Sequence, residues 1–288
     1  MKKILVPTDF SPTAQLAIDF ALELAIRQKA ELFFLHFLDI PVNWAKLSMM
    51  TPYTAKMSEE EKQQFFPEWK SQVGTAQQNL QDLVKKAERA GIKAHPALFY
   101  EFKMADLSQL IVQLHIDGIV MGTEGATGLK AWTGGSQAQK FIRMAPCPVI
   151  TLKTALDLAN LQKIVFAYDF AQTQALQDFT GLLHFCQELG AKLHLLYVNT
   201  PANFKDTAQV LNQMDAFLEA HGLFGKIEKH IYNDQTIEDG IVAFAHIYQM
   251  DLIALTTHGY GGVRRFLQHS ITENLVNFSD KNLLCLHF

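Results

Sequence analysis

Ile4-Leu5-Val6-Pro7-Thr8-Asp9-Phe10 recurs 160 residues later as Ile164-Val165-Phe166-Ala167-Tyr168-Asp169-Phe170. Each stretch is a short apolar run that stops at an aspartate, the pattern of a buried strand closed by a turn. Further along, Ala30-Glu31-Leu32-Phe33-Phe34-Leu35 matches Ala191-Lys192-Leu193-His194-Leu195-Leu196 at an offset of 161. Asp117-Gly118-Ile119-Val120 matches Asp251-Leu252-Ile253-Ala254 at an offset of 134, and Ser136 matches Ser270 at the same offset. The chain is therefore two copies of one unit, 1–153 and 161–288. The offset falls by 27, which places an insertion in the first copy at about 41–68, with Trp44, Met49, Met50 and the charged run Glu59-Glu60-Glu61-Lys62.

Within each copy strand-like and helix-like segments alternate. Residues 3–6 read as a strand. Ser11-Pro12 reads as an N-cap with proline at the first helical position. Apolar residues then recur at 14, 17, 18, 21, 22 and 25, the spacing of an amphipathic helix. Residues 32–38 form an apolar run interrupted only by His36, as for a strand buried on both faces. Helices are expected at 78–90, 104–114 and 136–144, and strands at 94–99, 118–121 and 148–152. The fold class is α/β: two doubly wound, parallel, five-stranded sheet domains in tandem. The ligand site of such a domain lies at the carboxyl ends of the strands.

Composition narrows the partners. Of 288 residues 49% are hydrophobic and 19% charged, and the net charge is −4, which argues against a broad nucleic-acid or membrane surface. The N-terminus lacks the apolar region of a signal peptide, and no run of about 18 apolar residues is present. Cys147, Cys186 and Cys285 are widely spaced without a CxxC, so a reduced cytoplasm is the expected location.

The richest motif is Gly122-Thr-Glu-Gly125-Ala-Thr-Gly-Leu-Lys-Ala-Trp-Thr-Gly-Gly135-Ser136. It follows a strand and leads into a helix. Glycine lets backbone approach a ligand closely. Ser136 with Gln139 makes a capping box, and a helix start favours an anion such as phosphate. The same stretch also reads as a plain flexible βα loop.

The spacing Gly-x2-Gly-x9-Gly-Ser resembles the phosphate loop of the universal stress protein family, in its ATP-binding branch. The opening Val6-Pro7-Thr8-Asp9-Phe10-Ser11 and the stretch Ala145-Pro146-Cys147-Pro148-Val149-Ile150 are similar to that family's first-strand end and last-strand entry. The resemblance spans the chain apart from the insertion. It implies that Asp9 meets the adenosine and that the backbone near Phe37 and Leu38 flanks the adenine. It implies that Met121 and Gly122 sit beside the ribose and that Gly125, Gly135 and Ser136 hold phosphates. Asp9 also reads as a turn or cap residue, and the two roles do not exclude each other. The resemblance further implies that 149–152 and 283–287 pair within one chain as an internal pseudo-dimer, which hides two sheet edges.

The second copy departs from the motif. Thr256 stands where Gly122 stands in the first, and His269 where Gly135 does. A side chain at either place would crowd a phosphate, so this copy is expected to keep the fold and bind nucleotide poorly or not at all. The opposing reading is that Arg264 and Arg265 compensate. Eight of eleven histidines lie in this half without an HxH or HExxH pattern, which reads as scattered surface histidines rather than a metal site. His258 and His269 would be the metal candidates otherwise. The insertion reads as an amphipathic lid or partner surface, or as a helix extension packed on the other domain.

The functional expectation is a stress-response regulator that binds ATP, or ADP or AMP, with Mg²⁺ in its first domain and uses occupancy as a conformational signal. Catalysis is not expected beyond weak ATP hydrolysis, for which Glu124 and Lys130 would be the first suspects. A slow ATPase and a nucleotide-free small-molecule or protein-interaction module are the alternatives. A protein partner and a homodimer stay open.

Overall fold

The computed structural model describes residues 1–38, 67–100, 104–123, 137–171, 177–223, 225–256 and 271–286, the last without 273 and 278. By internal contacts the chain divides into Met1–Asp117 and Gly118–Phe288.

The first unit holds β1 (Lys3–Pro7), α1 (Pro12–Gln28), β2 (Glu31–Leu38), α2 (Pro67–Arg89), β3 (Ala94–Tyr100) and α3 (Met104–Leu114). Its strands run β3-β2-β1, all parallel, with Leu5 opposite Phe33 and Phe34 opposite Pro96. Ser11 caps α1: its hydroxyl accepts from the Ala14 N–H at 3.2 Å, with Pro12 behind it. The six positions that the helical period marks, from Ala14 to Ala25, are all buried. Helix α2 begins at Pro67, well before the expected residue 78, so it takes in the end of the expected insertion. Residues 39–66, which hold the rest of the insertion, lie outside the described residues.

The second unit holds β4 (Gly118–Gly122), α4 (Gln137–Met144), β5 (Val149–Leu152), β6 (Lys163–Ala167), α5 (Gln177–Leu189), β7 (Lys192–Asn199), α6 (Thr207–Ala220), β8 (Glu228–Asn233), α7 (Ile237–Ile247), β9 (Leu252–Thr256) and β10 (Leu283–Leu286). Its strands run β4-β5-β10-β9-β6-β7-β8. Neighbours are parallel except β5 and β10, which pair antiparallel with Leu284 opposite Ile150 and Cys285 opposite Val149. The predicted pairing of the two closing strands is therefore present. Asn282 secures it: its side-chain oxygen accepts from the Lys153 and Thr154 N–H groups at 2.9 and 3.2 Å. This ladder joins β4 and β5 to the second copy by contact, although in sequence they close the first.

A shared role explains why both copies carry this aspartate, Asp117 and Asp251. Asp117 accepts from the N–H groups of Lys2 and Lys3, at the start of β1, at 2.7–3.1 Å. Asp251 accepts from Gln162 and Lys163, at the start of β6, at 2.9 and 2.8 Å. Each carboxylate takes donors that the sheet leaves unpaired at a strand entry.

Helix α7 lies very close to β7. A Cβ placed on Gly240 would come within 2.5 Å of Val198 Cγ1. The valine is stiff about χ1 and cannot swing aside cheaply. Gly240→Ala is expected to destabilise the chain by about 1 kcal/mol, because overpacking of about 1–3 kcal/mol outweighs the roughly 1 kcal/mol gained in helix propensity. Thermal unfolding checks this. Val198→Ala in the same chain should recover part of the loss, and a melting temperature of Gly240→Ala at or above that of the unaltered chain would refute the clash.

Candidate functional site

Both copies end their first strand in the same turn. The Thr8 N–H donates to the Leu35 carbonyl at 2.8 Å, and the Tyr168 N–H to that of Leu196 at 3.1 Å. Asp9 Oδ1 accepts from the Ser11 N–H and Asp169 Oδ1 from the Ala171 N–H, each at 3.0 Å. The next residue is left-handed in both, Phe10 at φ 62° and Phe170 at φ 50°. Such a φ is unfavourable for a bulky residue, and ring packing offsets it. Phe10 lies 4.6 Å from the His36 ring, and fully buried Phe170 lies 5.3 Å from Phe217. His36 Nδ1 is also 2.7 Å from the Thr8 carbonyl. The turn reading of Asp9 is therefore present. Asp9 is exposed, so its second oxygen can still face a ligand.

Of the predicted nucleotide residues, Asp9 follows β1, and Phe37 and Leu38 end β2, so the three lie at the carboxyl side of the first unit's sheet. Met121 and Gly122 end β4 in the second unit, opposite Thr151 and Leu152 of β5. The Thr123 N–H continues this ladder to the Leu152 carbonyl at 2.9 Å. Gly125, Gly135 and Ser136 lie outside the described residues, as do Glu124, Lys130 and Trp132. The flanks of the glycine loop are described: β4 stops at Gly122 and α4 starts at Gln137. The loop thus connects a strand's carboxyl end to a helix start.

In the second copy, a cavity of about 210 Å³ opens at the carboxyl ends of β6, β7 and β9. Tyr168, Asp169, Val198, Ile241, Leu255 and Thr256 contribute to its wall. The volume is below the roughly 300–1,000 Å³ of usual ligand clefts, and the wall is mainly apolar. Thr256 is buried at the place of Gly122, and its carbonyl accepts from the Thr272 hydroxyl at 3.3 Å. Lys205 also lines the cavity, but its ammonium lies over the Tyr197 ring and donates to Gln213 at 2.9 Å. Arg264, Arg265, His258 and His269 lie outside the described residues.

Two further groups bear on chemistry. The three cysteines are free and buried, and burial pushes the Cys186 and Cys285 thiols up to about 12. At neutral pH these two are thiols, without the thiolate a nucleophile needs. The histidines correct an expectation. His194 and His230 are not scattered: their ring nitrogens lie 3.1 Å apart, beside Glu228. They are 36 residues apart in the chain, and only the parallel pairing of β7 with β8 brings them together.

Comparison with known proteins agrees with the repeat. The description "Universal stress protein family" matches residues 1–153 and again residues 160–287. A universal stress protein of Methanocaldococcus jannaschii is 29% identical over 152 residues, covering 53% of this chain and 82% of that protein. A second from the same organism is 25% identical over 154 residues, covering 53% of this chain and 94% of its own. The crystal structure of a universal stress protein from Archaeoglobus fulgidus superposes over 99% of this chain and 96% of its own, with a TM-score of 0.70 at 19% identity, a likeness of fold. Among the described residues no helix is long and apolar enough to cross a membrane.

Proposed function

The chain belongs to the universal stress protein family, matched twice along its length, and on that premise we propose that its first copy binds an adenine nucleotide, ATP or its products with Mg²⁺. Occupancy then acts as the signal of a cytoplasmic stress-response regulator, read by a protein partner. The copies are taken as 1–153 and 161–288.

The observation that carries this reading is the glycine loop's position, between the end of β4 and the start of α4. N–H groups at a helix start and glycines that admit close backbone approach suit a phosphate chain. Asp9, exposed at the end of β1, offers a carboxylate oxygen for ribose or base donors. The second copy has the same turn around Asp169, but its cavity is small and apolar and carries the Thr256 side chain where the first copy has Gly122. The described part of this cavity is small for a triphosphate, so in this reading the second copy is the silent partner. A nucleotide changes the conformation only through different affinity for two states.

Calorimetry of the full chain with ATP, ADP and AMP, with and without Mg²⁺, tests the proposal. One site per chain is expected. Two sites would mean that Thr256 does not block the second copy, and no heat with any nucleotide would remove the proposal.

A further inference from the structure

The amino ends of β7 and β8 carry a cluster that the nucleotide reading does not use. His194 of β7 is in register with Glu228 of β8, and His230 stands two residues further along β8 on the same face. Three atoms converge. His194 Nδ1 is 3.1 Å from His230 Nε2 and 3.4 Å from Glu228 Oε2, and the remaining pair is 3.8 Å apart. Ligands at 2.0–2.2 Å in a tetrahedral zinc site stand about 3.3–3.6 Å from one another. The three atoms therefore mark three corners of such a tetrahedron within a few tenths of an ångström.

Protons alone serve this arrangement poorly. One ring proton can fill the 3.1 Å contact. The contacts of 3.4 and 3.8 Å to the carboxylate are then too long for good hydrogen bonds. A divalent cation satisfies all three atoms at once, and two neutral imidazoles with a carboxylate are an ordinary donor set for one. His194 is 6% exposed, while His230 is held by the Phe244 and Tyr248 rings at 5.0 and 5.8 Å. Glu228 is exposed and leaves an entry path. The first copy lacks the set, because Phe33 stands where His194 does and stacks on His95.

We propose that His194, Glu228 and His230 bind one divalent transition-metal cation, zinc by donor set, with water at the fourth corner, and that the ion ties β8 to β7. Bound through Nδ1, His194 carries its ring proton on Nε2, which is buried without a partner among the described residues. The site thus forgoes an outer hydrogen bond of the kind worth about 10–100-fold in affinity, and it holds zinc less tightly than a fully supported site.

The test uses the full chain, stripped with a chelator and titrated with zinc chloride by calorimetry, alongside His230→Gln and Glu228→Ala. One zinc per chain is expected, with affinity down by about 100-fold in His230→Gln and by at least about 10-fold in Glu228→Ala. Zinc should raise the melting temperature of the unaltered chain and neither variant's. Cobalt in place of zinc should give the visible bands of a tetrahedral ion. If His230→Gln fails to fold in chelator, the exposed Glu228→Ala decides alone. Zinc binding with the same stoichiometry and affinity in the folded variants would show adventitious binding elsewhere, and absence of zinc binding in the unaltered chain would equally overturn the proposal.

Discussion

Replacing Phe217 by alanine is expected to cost about 3–5 kcal/mol, the range for a fully buried phenylalanine. Phe217, on α6, has no exposed surface and is the hub of an aromatic cluster. Its ring lies 4.8 Å from Phe179, 5.3 Å from Phe170, 5.9 Å from Tyr168 and 4.6 Å from His221. Edge-to-face pairs of this kind add to the area term, and the truncated site cannot collapse around so many rigid rings. The effect reaches the cavity, because the Tyr168-Asp169-Phe170 turn rests on this ring. Urea unfolding of the full chain measures the loss as a lower midpoint at unchanged slope. A loss below about 1.5 kcal/mol would mean that the cluster repacks freely and does not hold the left-handed Phe170 in place.

Gly135→Arg is expected to weaken adenine-nucleotide binding by at least about 100-fold, or roughly 2.7 kcal/mol. In the proposed loop Gly135 is where backbone approaches phosphate, and a long side chain there fills the phosphate position. In that reading the cationic head does not rescue the contact, since it would displace the backbone N–H groups proposed to fix the phosphates. Calorimetry with ATP and Mg²⁺ reads the change. Gly135→Arg should leave thermal stability in the absence of nucleotide nearly unchanged, which separates lost binding from lost fold. Undiminished affinity would place the nucleotide elsewhere and leave the glycine loop as a connection only.

Much of the fold was legible because burial imposes periods. The helical spacing of Ala14, Ala17, Ile18, Ala21, Leu22 and Ala25 and the apolar run Leu32–Leu35 of β2 each report the faces they bury, and both elements form as expected. Ser11-Pro12 announces its helix through a local hydrogen bond, which needs no tertiary partner. Helix α2 was harder. It starts at Pro67 rather than residue 78, and the insertion that feeds it has no counterpart in the second copy to set its bounds. That Asp9, Phe37, Leu38, Met121 and Gly122 stand at or just after strand ends follows from strand order alone. The cavity beneath Thr256 does not, because its wall comes from β6, β7, β9 and α7 together.

The amino-acid sequence by itself determined the duplication, the α/β alternation, the caps and the difference between the glycine loop and its altered copy. These are encoded in residues close along the chain, or in a repeat that needs only comparison of the chain with itself. Tertiary structure alone decided that Asp117 and Asp251 hold strand entries far away in sequence, and that Gly240 is needed against Val198. It alone brought His194 to Glu228 and His230. Those meetings depend on which strands become neighbours and in what register, and a one-residue slip would turn His194 to the opposite face of the sheet.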